Sequence, residues 1–136
     1  MYEKYVVSFF KSMGFYNEEY FNILKNNSKI INMPYEEIKD LVGCYLTNDG
    51  CKLILPKINN IFDVLIWIHE YSHALFPEDE LEFFPNIMEA IFINNYIKDN
   101  KVKEELINKT KYEISVSESI SHISGKKVKL ILIGGI

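Results

Sequence analysis

The sequence predicts an α+β protein: a mainly helical, single-domain fold with a small β-sheet or hairpin that precedes a central helix. Apolar side chains repeat at helical spacing in several segments, and two short apolar segments flank an Asp-Gly turn. The 136 residues, 48% of them hydrophobic, suit one domain spanning 1–136 with a substantial core.

The first half of the chain predicts two helices and a hairpin. Residues 2–13 and roughly 17–26 carry apolar side chains at helical spacing, and a short helical turn is expected after Pro34. Residues 41–46 and 51–56 flank the Asp49-Gly50 turn and predict a β-hairpin. An exposed edge of this hairpin could pair with an extended peptide, although a hairpin that only packs on the helices is equally compatible with the sequence.

The second half predicts two long helices and then a mixed tail. Asn60, with an acid three positions later, predicts the start of a helix that runs through residue 75. A second helix is expected within 80–97, with its regular part starting between Glu82 and Pro85 because proline fits only in or near a first turn. In the tail, residues 101–107 predict a charged helix end, and residues 112–116 and 127–133 predict two strands.

The helix after Asn60 contains the pattern His69-Glu70-x-x-His73. Residues four apart lie one turn apart on the same helical face, so the two imidazoles can converge on one metal ion. Glu70 then points past the ion toward a water molecule. The alternative is an amphipathic core helix that holds two histidines by chance.

A two-histidine site needs a third protein ligand, and the following helix offers Glu82 and Glu89. They are seven residues apart and therefore share a face. If that helix begins near Glu82, Glu82 lies level with His73, whereas a start at Pro85 favours Glu89. Both possibilities stay open at this point.

Charge and composition exclude several classes of protein. The net charge of −4 and the pI near 5.4 argue against a nucleic-acid partner. With no signal peptide and no apolar run of membrane-spanning length, we expect no membrane association and a cytoplasmic location. Cys44 and Cys51 are expected to be reduced.

The abundance of residues with A/T-rich codons suggests a bacterial source.

The motif and its flanks resemble the active-site segment of the oligoendopeptidase F/thimet oligopeptidase family, zinc metallopeptidases of the gluzincin type. The likeness spans about residues 43–97 and includes the Asp63-Val64 helix start, the histidine motif, and Glu82 separated by six residues from Glu89-Ala90. It implies a minimal zincin-like fold, one Zn²⁺ per chain, Glu82 as the third ligand and Glu89 as a supporting carboxylate. Thermolysin-like enzymes, in which the Glu of Asn-Glu-Ala binds zinc, would instead favour Glu89.

The expected activity is hydrolysis of peptide bonds in a peptide or protein substrate, by a zinc-bound water with Glu70 as general base. The candidates for a side chain that donates a hydrogen bond to the oxyanion of the reaction are His122, Tyr112 and Tyr71. One alternative is a non-catalytic or regulatory zincin-like domain that binds zinc and a peptide or protein partner. Another is a metal-free interaction domain. The oligomeric state is not predicted.

Overall fold

A computed structural model describes residues 3–48, 50–77 and 82–108. These residues form a mainly helical α+β structure with six helices and a three-stranded sheet, as the sequence predicts. The chain divides into two compact units, Met1–Glu78 and Asp79–Ile136, and each is described by itself. The expectation of a single domain stays a prediction.

The first unit begins with helices α1 (Glu3–Ser12) and α2 (Glu18–Asn27). Gly14 has a φ of +78°, a conformation that costs glycine little, and this allows the chain to turn away from α1. The side chain of Asn17 accepts a hydrogen bond from the Tyr20 N–H and so caps α2. Both helices lie close to their predicted positions.

The sheet has the strand order β1-β3-β2, with β1 (Lys29–Ile31), β2 (Gly43–Thr47) and β3 (Gly50–Pro56). The predicted hairpin is confirmed as the antiparallel pair of β2 and β3, and β1 lies parallel to β3. The sequence did not reveal β1, because three residues are too few to show a strand's alternation.

Helix α3 (Tyr35–Ile38) follows Pro34, and helix α4 (Ile61–Leu75) carries the histidine motif in its last turns. The Asn60 side chain accepts a hydrogen bond from the Asp63 N–H, and the Asp63 carboxylate in turn accepts one from the Asn59 N–H. This reciprocal pattern satisfies backbone donors that a helix start otherwise leaves without partners. The predicted start of α4 is therefore confirmed.

An aromatic cluster joins α4 to α1 and α2. The Tyr71 ring stacks on the rings of Phe10 and Trp67, with centroids 6.1 and 6.2 Å away, and contacts Phe21. The indole N–H of Trp67 donates a 2.7 Å hydrogen bond to the Pro56 carbonyl at the end of β3. Helix α4 also packs directly on β3 and β2, so it lies against the sheet.

The second unit contains α5 (Phe83–Tyr96) and a further helix, α6, over residues 100–108. Pro85 is the third residue of α5, as its missing N–H requires. The Asp99 side chain accepts hydrogen bonds from the Lys101 and Val102 N–H groups and caps α6. The predicted strands 112–116 and 127–133 lie outside the described residues.

None of the helices in the described part of the chain combines the length and apolar character needed to cross a membrane.

Candidate metal centre

The site begins with two histidines on α4. The Nε2 atoms of His69 and His73 lie 3.2 Å apart, and the ring centroids are 4.9 Å apart with the rings inclined at 72°. Both side chains are partly exposed, so an ion from solvent can reach them. The two rings that the sequence predicts to converge therefore do so.

The separation of these nitrogens can be compared with the geometry of a zinc site. With Zn–N distances near 2.0–2.1 Å, two ligands of a tetrahedral ion lie roughly 3.3–3.4 Å apart. The 3.2 Å between the Nε2 atoms is close to that value, so the pair fits one zinc ion. Without an ion, the same contact is a hydrogen bond in which one Nε2 carries the proton and the other accepts it.

Glu70 lies between the two histidines in the sequence and is 9% exposed. Burial, then the neighbouring Cys51 thiol, and then the negative charge of Glu70 raise the pKa of Cys44. The Glu70 carboxylate is therefore near the Cys44 thiol on β2, and α4 packs against that strand. Sequence reasoning missed this relationship, although Cys44 lies in the hairpin directly before α4.

Tyr20 holds the end of α4 beside His73. Its hydroxyl donates a hydrogen bond to the carbonyl of Ala74, a contact that spans 54 positions in the sequence. Burial and the Cys51 and Cys44 thiols raise the pKa of Tyr20. Both cysteines are free thiols, as expected. The sequence carried no signal for this role of Tyr20, because its partner is a backbone atom distant in the chain.

Ser72 is fully buried between His69 and His73. Its hydroxyl donates a 2.6 Å hydrogen bond to the Ile68 carbonyl one turn earlier. A buried hydroxyl is therefore satisfied within α4 itself, and the helix continues through the motif.

Tyr71 lies on a different side of α4 from the histidines. Side chains two positions apart in a helix point in directions that differ by roughly 200°. Tyr71 is two positions from both His69 and His73, so it points away from both. Its ring is held by the aromatic cluster instead. This placement does not favour the oxyanion role considered for Tyr71. The other two candidates, His122 and Tyr112, lie outside the described residues.

The two carboxylates considered as third ligand belong to the second unit. Glu82 directly precedes α5 and is exposed, and its carbonyl accepts a hydrogen bond from the Asn86 N–H. Glu89 lies in the middle of α5 and is 4% exposed. The choice between them as a ligand stays a prediction.

Strand β2 forms one edge of the sheet beside α4. No strand among residues 3–48, 50–77 and 82–108 pairs with its outer side. Tyr45 and Leu46 on this strand are 43% and 70% exposed. An open strand edge on a sheet that packs against α4 has the form that an extended peptide can join by main-chain hydrogen bonds.

Comparisons of this chain with models of protein families, with curated proteins and with solved structures found no match.

Proposed function

We propose that this protein is a zinc-dependent metallopeptidase. The proposal depends above all on the 3.2 Å approach of the His69 and His73 Nε2 atoms, with the buried Glu70 on the same helix. In the proposal, two imidazole nitrogens from His69 and His73 and one carboxylate oxygen from Glu82 make up the protein ligands of the ion. Two histidines and one carboxylate suit zinc better than other common ions.

Zinc, when bound, supplies Lewis-acid chemistry that polarises a carbonyl and lowers the pKa of water. The residues of the chain supply positioning and proton transfer. His69 and His73 must each present a neutral Nε2 to the ion, so both rings carry their proton on Nδ1. Glu70 accepts the proton of the attacking water and passes it to the leaving amine. Its low exposure reduces competition from bulk water.

Glu82 is the proposed third ligand. A helix that begins near Glu82 was expected to favour Glu82 as the ligand, and a start at Pro85 to favour Glu89. Helix α5 starts at Phe83, which supports Glu82. The proposed role of Glu89 is to support the site from a buried position on the same helix. The resemblance to the oligoendopeptidase F/thimet oligopeptidase family supports the same assignment.

The proposed substrate is an extended segment of a peptide or protein. The open edge of β2 supports this choice, because a substrate strand added there would lie alongside α4. The acidic net charge of −4 argues against nucleic acid as the substrate. A cytoplasmic location is part of the proposal.

Metal content by elemental analysis tests the proposal. We expect one zinc per purified chain, lost in His69→Ala and in His73→Ala. His122→Ala is the matched control, since His122 is the third histidine of the chain and is not a proposed ligand. If the wild type takes up no zinc after loading, or if the two α4 variants keep it, the metallopeptidase proposal fails.

A peptide-cleavage assay distinguishes a metallopeptidase from a non-catalytic zinc-binding domain. Zinc-loaded protein should cleave members of a fluorogenic peptide library, and cleavage should stop when the zinc is removed with a chelator. Zinc binding without cleavage of any peptide would instead favour a non-catalytic zincin-like domain that binds a peptide or protein partner.

A further inference from the structure

The first unit contains a cleft of about 320 Å³ bordered by α1, α2, β1, β3 and α4. Val6, Leu55 and Trp67 contribute apolar surface to it. A volume near 300 Å³ is at the lower end of the range for small-molecule sites in proteins. The cleft therefore suits a compact and mostly apolar ligand.

Tyr71 lines the cleft from α4. Stacking on Phe10 and Trp67 holds its ring, and the residue is only 6% exposed. Within the part of the chain that the structure describes, its hydroxyl has no hydrogen-bond partner. The hydroxyl oxygen is not among the fully buried polar atoms that lack partners in the described residues, so it reaches accessible space and can donate a hydrogen bond to an acceptor on a ligand.

The charged residues at the cleft favour an acid over an amine. Lys25 and Glu3 both line it. Glu3 already has interactions with other groups of the chain, whereas the Lys25 ammonium has no ion-pair partner among residues 3–48, 50–77 and 82–108. Lys25 is therefore the charge available to a ligand, and it attracts an anion.

We propose that this cleft binds a small carboxylic acid with an apolar body, whose carboxylate accepts a hydrogen bond from Tyr71 and is balanced by Lys25. Trp67 and Tyr71 lie on the side of α4 away from His69 and His73. Each is two positions in the sequence from the nearest histidine, which corresponds to a rotation of roughly 200° around the helix axis. The site is thus distinct from the proposed metal centre, and its occupancy does not require zinc.

Trp67 provides a direct readout, because it lines the cleft and is the single tryptophan of the chain. The experiment titrates the full-length protein with decanoate at low ionic strength and follows tryptophan emission, with decanol as the neutral probe of equal chain length. We expect a saturable change with decanoate and at least about tenfold weaker binding of decanol, as the loss of a hydrogen bond to a charged group implies. Zinc-loaded and zinc-depleted protein should give the same result.

Three variants test the assigned contacts. Tyr71→Phe keeps the ring and should weaken decanoate binding by about tenfold or more. Lys25→Gln should weaken it severalfold, and the effect should shrink as salt is added. Lys29→Gln is the matched control, because Lys29 is exposed on β1 and does not line the cleft, so binding should be unchanged.

A fourth variant, Val7→Phe, should fill the cleft from α1 and abolish the response to decanoate in protein that still unfolds cooperatively. The proposal is overturned if decanoate gives no saturable change in the wild type. It is also overturned if decanol binds as well as decanoate, or if Tyr71→Phe and Lys25→Gln bind as well as Lys29→Gln. Loss of zinc binding in His69→Ala with decanoate binding intact would separate the two sites.

Discussion

The Nε2 atoms of His69 and His73 lie 3.2 Å apart across one turn of α4. Asn60 caps the start of this helix, and Tyr20 contacts the Ala74 carbonyl near its end. The helix that carries the two imidazoles is therefore stabilised by hydrogen bonds near both of its ends. This reduces the reorganisation that metal binding would otherwise require.

Glu70→Gln should separate metal binding from catalysis. Glutamine has nearly the same shape as glutamate but cannot accept the proton from water, so we expect peptide hydrolysis to fall by about 10²–10⁴-fold while zinc is retained. Fluorogenic peptide assays on zinc-matched samples measure this. Unchanged hydrolysis would show that another residue is the general base.

The third ligand can be identified by comparing Glu82→Ala with Glu89→Ala in a competition against a chelator of known affinity. Removal of a ligand should abolish stoichiometric zinc binding in Glu82→Ala. Removal of a supporting carboxylate typically weakens metal affinity by about 10–100-fold, which we expect for Glu89→Ala. The reverse order would make Glu89 the ligand.

Asn60→Ala should lower the free energy of unfolding by about 1 kcal/mol, because the Asp63 N–H loses its side-chain acceptor. Urea unfolding followed by circular dichroism measures the change. Asn59→Ala is the control, since Asn59 takes part in the cap through its backbone N–H, which alanine keeps. Equal stability of the two variants would contradict the role of the Asn60 side chain.

Tyr20→Phe removes the hydroxyl that donates to the Ala74 carbonyl. We expect a loss of about 0.5–1.5 kcal/mol in the free energy of unfolding, the usual net contribution of one hydrogen bond. Zinc affinity should also fall, because His73 directly precedes Ala74. In the control, Tyr16→Phe, the ring stays against Phe21 and both quantities should stay near the wild-type values. A Tyr20→Phe protein indistinguishable from this control would rule out the positioning role.

Stability should decline in alkaline solution. Burial, followed by the Cys51 thiol and Glu70, raises the pKa of Cys44 to about 12. Above pH 9 the unfolded chain therefore loses this proton while the folded protein keeps it, so the unfolding free energy falls as pH rises from 9 toward 12. The raised pKa values of Tyr20 and Tyr71 act in the same direction.

Thermal unfolding scans between pH 8 and about pH 11 measure this decline, since the reference pKa values of Cys and Tyr are roughly 8.5 and 10. Cys44→Ala should have a shallower decline than the wild type because one of the titrating groups is gone. A melting temperature that is independent of pH over this range would contradict the assignment.

The positions of α1, α2, α4 and the hairpin followed from local signals. Apolar periodicity, the cap at Asn60 and the Asp49-Gly50 turn act over a few residues, so they are visible in the sequence. The histidine spacing is local in the same sense, because one helical turn brings residues 69 and 73 together wherever the helix lies. Strand β1 is too short to carry such a signal, and its pairing with β3 depends on residues far apart in the chain.

The sequence by itself determined that His69 and His73 share a helical face with Glu70 beside them, because helix geometry repeats every few residues. Tertiary packing alone decided which groups surround that helix. It placed the Tyr20 hydroxyl at the Ala74 carbonyl, the Cys44 thiol near Glu70, and Tyr71 in a cleft with Lys25. Such contacts depend on how separate elements pack together, and no local pattern of residues encodes them.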